Sequence, residues 1–160
     1  MTIKVGDKAP AAKIKQMTPE GPKDLDTGEF FKGKTVVLFA VPGAFTPTCS
    51  AKHLPGFVEK AAEIKGKGVD VIACLSVNDA FVMNAWGKDQ KAEGKVQMLA
   101  DGNGDFTRAM GLELDGSGYG LGKRSQRYAM VVKDGVVKAL NVEKPGAFEV
   151  SSADAILKAI

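Results

Sequence analysis

The run Thr35-Val36-Val37-Leu38-Phe39-Ala40-Val41, ended by Pro42, constrains this chain more than any other stretch. Every position after Thr35 is apolar, without the polar alternation of a half-exposed strand, so the run reads as a strand buried on both faces. Such a strand calls for a sheet with helices on either side, the α/β class. Beyond Pro42 the pattern changes to a helix start. Thr46 offers a side-chain oxygen as an N-cap, and Pro47 suits the first helical position because its missing N–H would be unpaired there anyway. Cys49 is thereby placed about three residues into a helix, where free N–H groups and the positive end of the dipole favour a sulfur anion.

The rest of the chain supplies further elements in alternation. The first 34 residues, rich in Gly, Pro and Lys, read as short strands and turns. Residues 48–66 predict a helix kinked at Pro55, whose ring meets the carbonyl four residues earlier. Val69 to Val77 is a second buried strand. Asn78 or Asp79 caps a helix through Lys88 with Phe81, Val82, Ala85 and Trp86 on its apolar face. Val96 to Ala100 is a short strand, and residues 105–111 a short helix. Asp134-Gly135 is a two-residue hairpin turn between Arg127–Val132 and Val136–Val142. Ser151 or Ser152 caps a last helix carrying Ile156, Leu157 and Ile160.

Bulk properties narrow the function. The chain has 160 residues, a length that suits one domain over 1–160. Its formal charge of +3 comes from scattered lysines rather than a basic block, so nucleic acid is not an expected partner. No apolar stretch approaches the ~18 residues of a membrane span. Met1 to Lys8 lacks an apolar signal core, which leads to the expectation of a cytoplasmic protein. Two cysteines, Cys49 and Cys74, are too few for a disulfide scaffold and point to redox or nucleophilic use. With His53 they make only three candidate metal ligands at unrelated spacings, so no metal is expected. The Gly-rich stretch 116–122 neither follows a strand nor leads into Lys-Ser/Thr, and is a loop rather than a phosphate cradle.

The residues Pro42, Thr46 and Cys49 spell Pro-x-x-x-Thr-x-x-Cys, which resembles the peroxidatic signature of the peroxiredoxins. The fuller text PGAFTPTCSAKHLPGF is similar to the type II, Prx5-like subfamily. So are VIACLSVNDAFVMNAWGK at 71–88, LELDGSGYGLGKRSQRYAMVV at 112–132 and DGVVKALNVE at 134–143. The resemblance implies a thioredoxin-like fold, a central mixed sheet with helices on both faces. It also implies a thiol-dependent peroxidase for hydrogen peroxide and small organic hydroperoxides, working through a sulfenic acid without metal, haem or flavin. Cys49 would be the nucleophile, Thr46 and Arg127 its peroxide-contacting groups, and Pro42 the wall that shields the sulfur. Thioredoxin, glutaredoxin or glutathione would be the donor, and a homodimer the assembly, with Phe45 and Phe81 as apolar contact candidates. Cys74 stands 25 positions after Cys49, as does the resolving cysteine attributed to plant type II members. Its buried-strand setting argues the other way, because a disulfide needs Cα atoms within ~7 Å. Either Cys74 resolves or an external thiol reduces the sulfenic acid directly.

Magnitudes show which groups such chemistry needs. A thiol of pKa ~8.5 is about 3% ionised at neutrality, and lowering the pKa to ~6 raises the thiolate roughly 30-fold. That shift needs ~3.4 kcal/mol, within reach of one arginine ~4 Å away at an effective dielectric near 20. With a Brønsted slope of ~0.4–0.5, however, the weaker base loses about ten- to eighteen-fold in nucleophilicity. Most of the acceleration must therefore come from groups that receive charge as the O–O bond breaks. Among the arginines, Arg127 opens a strand, Arg124 lies in the Gly-rich loop as a solvated or secondary group, and Arg108 belongs to a helix surface. His53, four residues after Cys49, suits a local structural or interface duty rather than that of a base. A disulfide oxidoreductase, a Cys49–His53 hydrolase and a peroxide-sensing or chaperone protein are the rival readings. The first lacks a C-x-x-C pair and the second an orienting group.

Overall fold

The computed structural model describes residues 2–160. Its strands are β1 (Lys13–Thr18), β2 (Gly21–Asp26), β3 (Thr35–Ala40), β4 (Val71–Ser76), β5 (Gln97–Ala100), β6 (Glu113–Asp115), β7 (Lys123–Ser125), β8 (Tyr128–Lys133) and β9 (Val136–Val142). Its α-helices are α1 (Thr27–Phe31), α2 (Leu54–Lys65), α3 (Ala80–Asp89), α4 (Asp105–Met110) and α5 (Ala153–Ala159). A π-helical turn, Cys49–His53, leads into α2.

Seven strands form one mixed sheet in the order β2-β1-β5-β4-β3-β8-β9, and β6 pairs with β7 as a separate ribbon. The centre is parallel, β3 with β4 and β4 with β5, while β8 and β1 run antiparallel to their neighbours. The unbroken apolar run of β3 is explained by the two layers it serves. Val37 and Phe39 pack with Leu54, Phe57, Ile64 and Trp86 on one face. Val36, Leu38 and Ala40 pack with Phe31, Phe106 and Met130 on the other. This is the thioredoxin-like arrangement expected of the chain, with β3 delivering the polypeptide to Pro42 at the sheet's end.

Several local expectations are altered by packing. At Pro55, where the sequence predicts a kink, the turn before the proline widens into a π-helical one. Leu54 donates to the Cys49 carbonyl, a five-residue return, and Pro55 falls in the first turn of α2. Pro55 has no N–H to return to Ala51, and the wider turn relieves the ring of that carbonyl. In α3, Asp79 caps the Val82 N–H at 2.8 Å as expected. The buried face, however, is Ala80, Met83, Trp86 and Gly87, and Phe81 and Ala85 face outward. Helix α1 was not legible among the Gly and Lys residues around it; Asp26 caps it through the Glu29 N–H at 3.2 Å.

The β8–β9 turn is a clean case of sequence chemistry. Asp134 and Gly135 both have positive φ, 48° and 81°, the geometry of a primed hairpin turn that suits the twist of the strands. The Asp134 carboxylate also accepts from Gly33 N–H at 2.7 Å, tying the turn to the chain entering β3. A Cβ at Gly135 would meet nothing within 4 Å, so only backbone strain opposes one. Gly135→Ala is therefore expected to lower unfolding stability by about 1–2 kcal/mol in urea titrations, with unchanged cooperativity.

Candidate active site

The site gathers at the C-terminal end of β3, where the chain passes through Pro42 to the helix that carries Cys49. The helix begins at Pro47, as its sequence predicts. Thr46 does not cap it with its side chain. The hydroxyl turns back and donates to the Gly43 carbonyl at 2.6 Å, while the Thr46 carbonyl accepts from Ser50 N–H at 3.0 Å. The Thr46 proton is thus engaged and its oxygen lone pairs are left to accept. Arg124, expected as a solvated or secondary group, is secondary. Its guanidinium donates to the Pro42 carbonyl and to Leu121 O, both at 3.1 Å, and holds the loop from the far side. Arg108 pairs with Asp105 on the surface of α4 and takes no part.

Arg127, just ahead of β8, reaches Cys49. Its Nη2 donates to Cys49 Sγ at 3.1 Å, and its Nη1 meets His53 Nδ1 at 2.9 Å. One guanidinium therefore spans two residues of the same π turn. Cys49 and His53 are both fully buried. A cleft of about 290 Å³ lies alongside, lined by Pro42, Thr48, Gln126, Arg127, Glu143 and Lys144 among others. Arg127 thus touches both the cleft and the sulfur.

His53 is the residue that sequence reading undervalued. Its ring lies against Phe39, with centroids 4.9 Å apart, and against Phe148 at 5.0 Å. Its Nε2 faces the Ser151 carbonyl at 2.8 Å. Burial, followed by the neighbouring Arg127 charge, pushes its pKa down from 6.5 to about 3. The Ser151 carbonyl is itself fixed. The Glu143 carboxylate accepts from the N–H groups of Glu149, Val150 and Ser151 and from the Ser151 hydroxyl, all at 2.7–2.9 Å. Burial works to raise the Glu143 carboxyl, but these donors prevail and hold it below its usual range. The only sequence sign of this role was the four-residue spacing of Cys49 and His53; the partners at 127, 143 and 151 are remote.

Cys74 sits on β4 in the same layer as Cys49, both reduced and buried. It is paired in register with Phe39 on one side and Met98 on the other. Burial, and then the charge of Cys49, push its thiol well above the ordinary range, against a smaller opposing effect of Arg127. Among the described residues no cluster of three His, Cys, Asp or Glu is placed to hold a metal ion, and no helix is long and apolar enough to cross a membrane.

The Redoxin family matches residues 4–157. Peroxiredoxin-2E, chloroplastic, of Arabidopsis thaliana is 54% identical over 99% of this chain and 70% of its own length. Peroxiredoxin-2E-2, chloroplastic, of Oryza sativa subsp. japonica is 56% identical over 99% of this chain and 73% of its own. The crystal structure of reduced Prx3 in complex with hydrogen peroxide from Vibrio vulnificus superposes with a TM-score of 0.96 at 57% identity, covering 99% of each chain. The chain belongs to the type II peroxiredoxins. It is accordingly an enzyme, a thiol-dependent peroxidase that consumes peroxides at the expense of thiol reductants.

These relatives also correct one expectation. Cytoplasmic residence was inferred from the missing apolar core at the N-terminus, yet both plant proteins are chloroplastic. The physical reason is that such a core reports on secretion alone; organellar targeting segments are amphipathic and basic rather than apolar.

The buried His53 makes folding sensitive to acid. The unfolded chain takes a proton near pH 6.5, while the folded state refuses it until about pH 3. The stability is therefore complete above about 6.5 and lost progressively below it, by at most ~1.4 kcal/mol per pH unit from this group. In urea titrations between pH 6.5 and 4, His53→Phe is expected to show a shallower decline than the wild-type peroxiredoxin. Equal slopes would mean that the imidazole protonates freely in the fold.

Proposed function

We propose that Cys49 is the peroxidatic nucleophile and Arg127 the group that receives charge, with Thr46 and Pro42 shaping the place where peroxide binds. The observation that carries this reading is the 3.1 Å bond from Arg127 Nη2 to Cys49 Sγ. A guanidinium at that distance lies within reach of an oxygen bound to the sulfur, where it can receive developing negative charge. The thiolate attacks one peroxide oxygen, an S–O bond forms, and the O–O bond breaks. The second oxygen leaves as hydroxide or alkoxide, takes a proton and departs as water or alcohol. Cys49 is left as sulfenic acid. The Thr46 oxygen, its own proton held by Gly43, is suited to accept a hydrogen bond from the peroxide O–H. Pro42 lines the adjacent cleft and brings no N–H that would solvate the sulfur. The Vibrio relative, whose reduced form is described with hydrogen peroxide, supports peroxide itself as a substrate.

For the return to thiol we propose direct reduction by an external donor of the thioredoxin, glutaredoxin or glutathione type. The donor sulfur condenses with the sulfenic acid, water leaves, and a second thiol releases Cys49 as a disulfide forms. The position of Cys74 favours this route over an internal bond. It is held in a central strand bonded on both sides, and its thiol is hard to ionise.

We also propose a homodimer joined near the active-site loop. Phe45 and Phe81 are 53% and 66% exposed, and Phe45 is held at a φ of 64° beside Trp86, a strained position for an aromatic residue. Phe81→Glu is expected to move the sedimentation coefficient from dimer to monomer; an unchanged monomer in both would remove this proposal.

With hydrogen peroxide and dithiothreitol, Cys49→Ser is expected to abolish turnover. Arg127→Ala should lower it by at least ~100-fold, the scale of losing one transition-state donor. Cys74→Ser should retain it. Near-normal turnover by the Arg127 variant would overturn the reading.

A further inference from the structure

We infer that His53 is a positioning residue, held as one neutral tautomer so that its bare Nδ1 aims the Arg127 guanidinium at Cys49. The inference rests on the role proposed for Arg127 and extends it to a residue that touches no reactant.

The tautomer follows from what each ring nitrogen faces. Nε2 lies 2.8 Å from the Ser151 carbonyl, which only accepts, so Nε2 carries the hydrogen. Nδ1 lies 2.9 Å from Arg127 Nη1, which only donates, so Nδ1 is bare. The ring cannot tip to another contact because Phe39, Phe57 and Phe148 surround it at 4.9, 5.7 and 5.0 Å. Arg127 is a long side chain with rotamers to lose, and Nη1 and Nη2 belong to one rigid plane. Fixing Nη1 on His53 therefore fixes the direction of Nη2 toward sulfur. The Phe148 ring, 5.9 Å from the guanidinium carbon, supports it from a further side.

The anchoring is closed at its far end. Glu143 holds Ser151 through its carboxylate, and its own N–H donates to the Arg127 carbonyl at 2.9 Å. Backbone and tip of Arg127 are thus referred to the same residue by two routes. Any buried histidine needs partners for its nitrogens; what marks this one is that the partner at Nδ1 is the guanidinium that also bonds Cys49.

The test is a double-mutant cycle with hydrogen peroxide and dithiothreitol, rates being expressed per titrated Cys49 thiol. His53→Gln leaves an amide able to meet Ser151 but no acceptor at the δ position, and is expected to lower kcat/KM by roughly 10- to 100-fold. His53→Asn restores an oxygen near Nδ1 and should recover most of that loss. In an Arg127→Ala background His53→Gln should change the rate by less than about twofold, because the group it aims is gone. Equal additional losses in both backgrounds, or no loss with Arg127 intact, would overturn the inference. A harmless Arg127→Ala variant would instead overturn the role of Arg127. Nitrogen-15 NMR of the unmutated protein tests the tautomer without any variant. It should show hydrogen on Nε2 and a bare Nδ1 throughout pH 5–8, an interval above the pKa of about 3. A δ-protonated or doubly protonated ring would sink the proposal even if the variants failed to fold.

Discussion

The positive charge of Arg127, held against sulfur and kept free of any carboxylate, is the interaction on which the site depends. Among the described residues, the ion pairs are surface ones, Lys4–Asp7, Lys15–Asp24, Lys23–Glu20 and Arg108–Asp105. None involves Arg127. Its partners are a neutral imidazole nitrogen and a thiol. A carboxylate in place of His53 would fix the guanidinium equally well and cancel its field at the same time. A neutral acceptor holds the geometry and leaves the charge uncompensated beside the sulfur, as the proposed role of Arg127 requires. Glu143, the nearby acid, is turned instead to the 149–151 backbone and the Ser151 hydroxyl.

The fold accounts for how residues so far apart in sequence meet. Strand β3 lies between β4 and β8, so the loop at its end is flanked by the start of β8, where Arg127 sits. The Glu143 N–H to Arg127 carbonyl bond extends the β8–β9 ladder by one step and brings the 143–151 segment over His53. Ser152 then caps α5 through the Ala155 N–H at 3.1 Å, and Ile156 anchors that helix in the core. The loop that fixes His53 is thus tied at both of its ends to regular structure.

How much of this was legible in sequence depended on the range of the interaction. The β3 run, the Pro47 start, the Asp79 cap and the Asp134-Gly135 turn are local, and each follows from a few neighbouring residues. Cys49, Thr46, Pro42 and Arg127 were picked out by chemistry together with a family pattern. What failed was either rotation or direction. The α3 face kept Trp86 but was otherwise rotated, because the strip that packs is the one facing β5 and β1 rather than the most hydrophobic one; Phe81 is apolar and exposed. The Thr46 hydroxyl faces Gly43 rather than the helix. The widened turn at Cys49–His53 needs both the proline after it and the partners around it. The local structural duty read for His53 gained its partners only once Ser151 and Arg127 were placed against its two nitrogens.

The contrast between the two cysteines follows from where each backbone can yield. Cys49 is in the first turn of a helix, an end where few backbone bonds need open for a partner to approach. Cys74 lies in mid-strand between β3 and β5, so bringing its sulfur outward means breaking pairs on both sides of the sheet. Its ionisation is opposed by burial and by Cys49, and the Arg127 charge that works the other way is already committed to the nearer sulfur. The guanidinium that bonds one sulfur is thus placed where it does not bond the second. For that reason an internal disulfide would require the paired strand and the Arg127 contact to change together, which is why reduction by an external thiol is the route proposed.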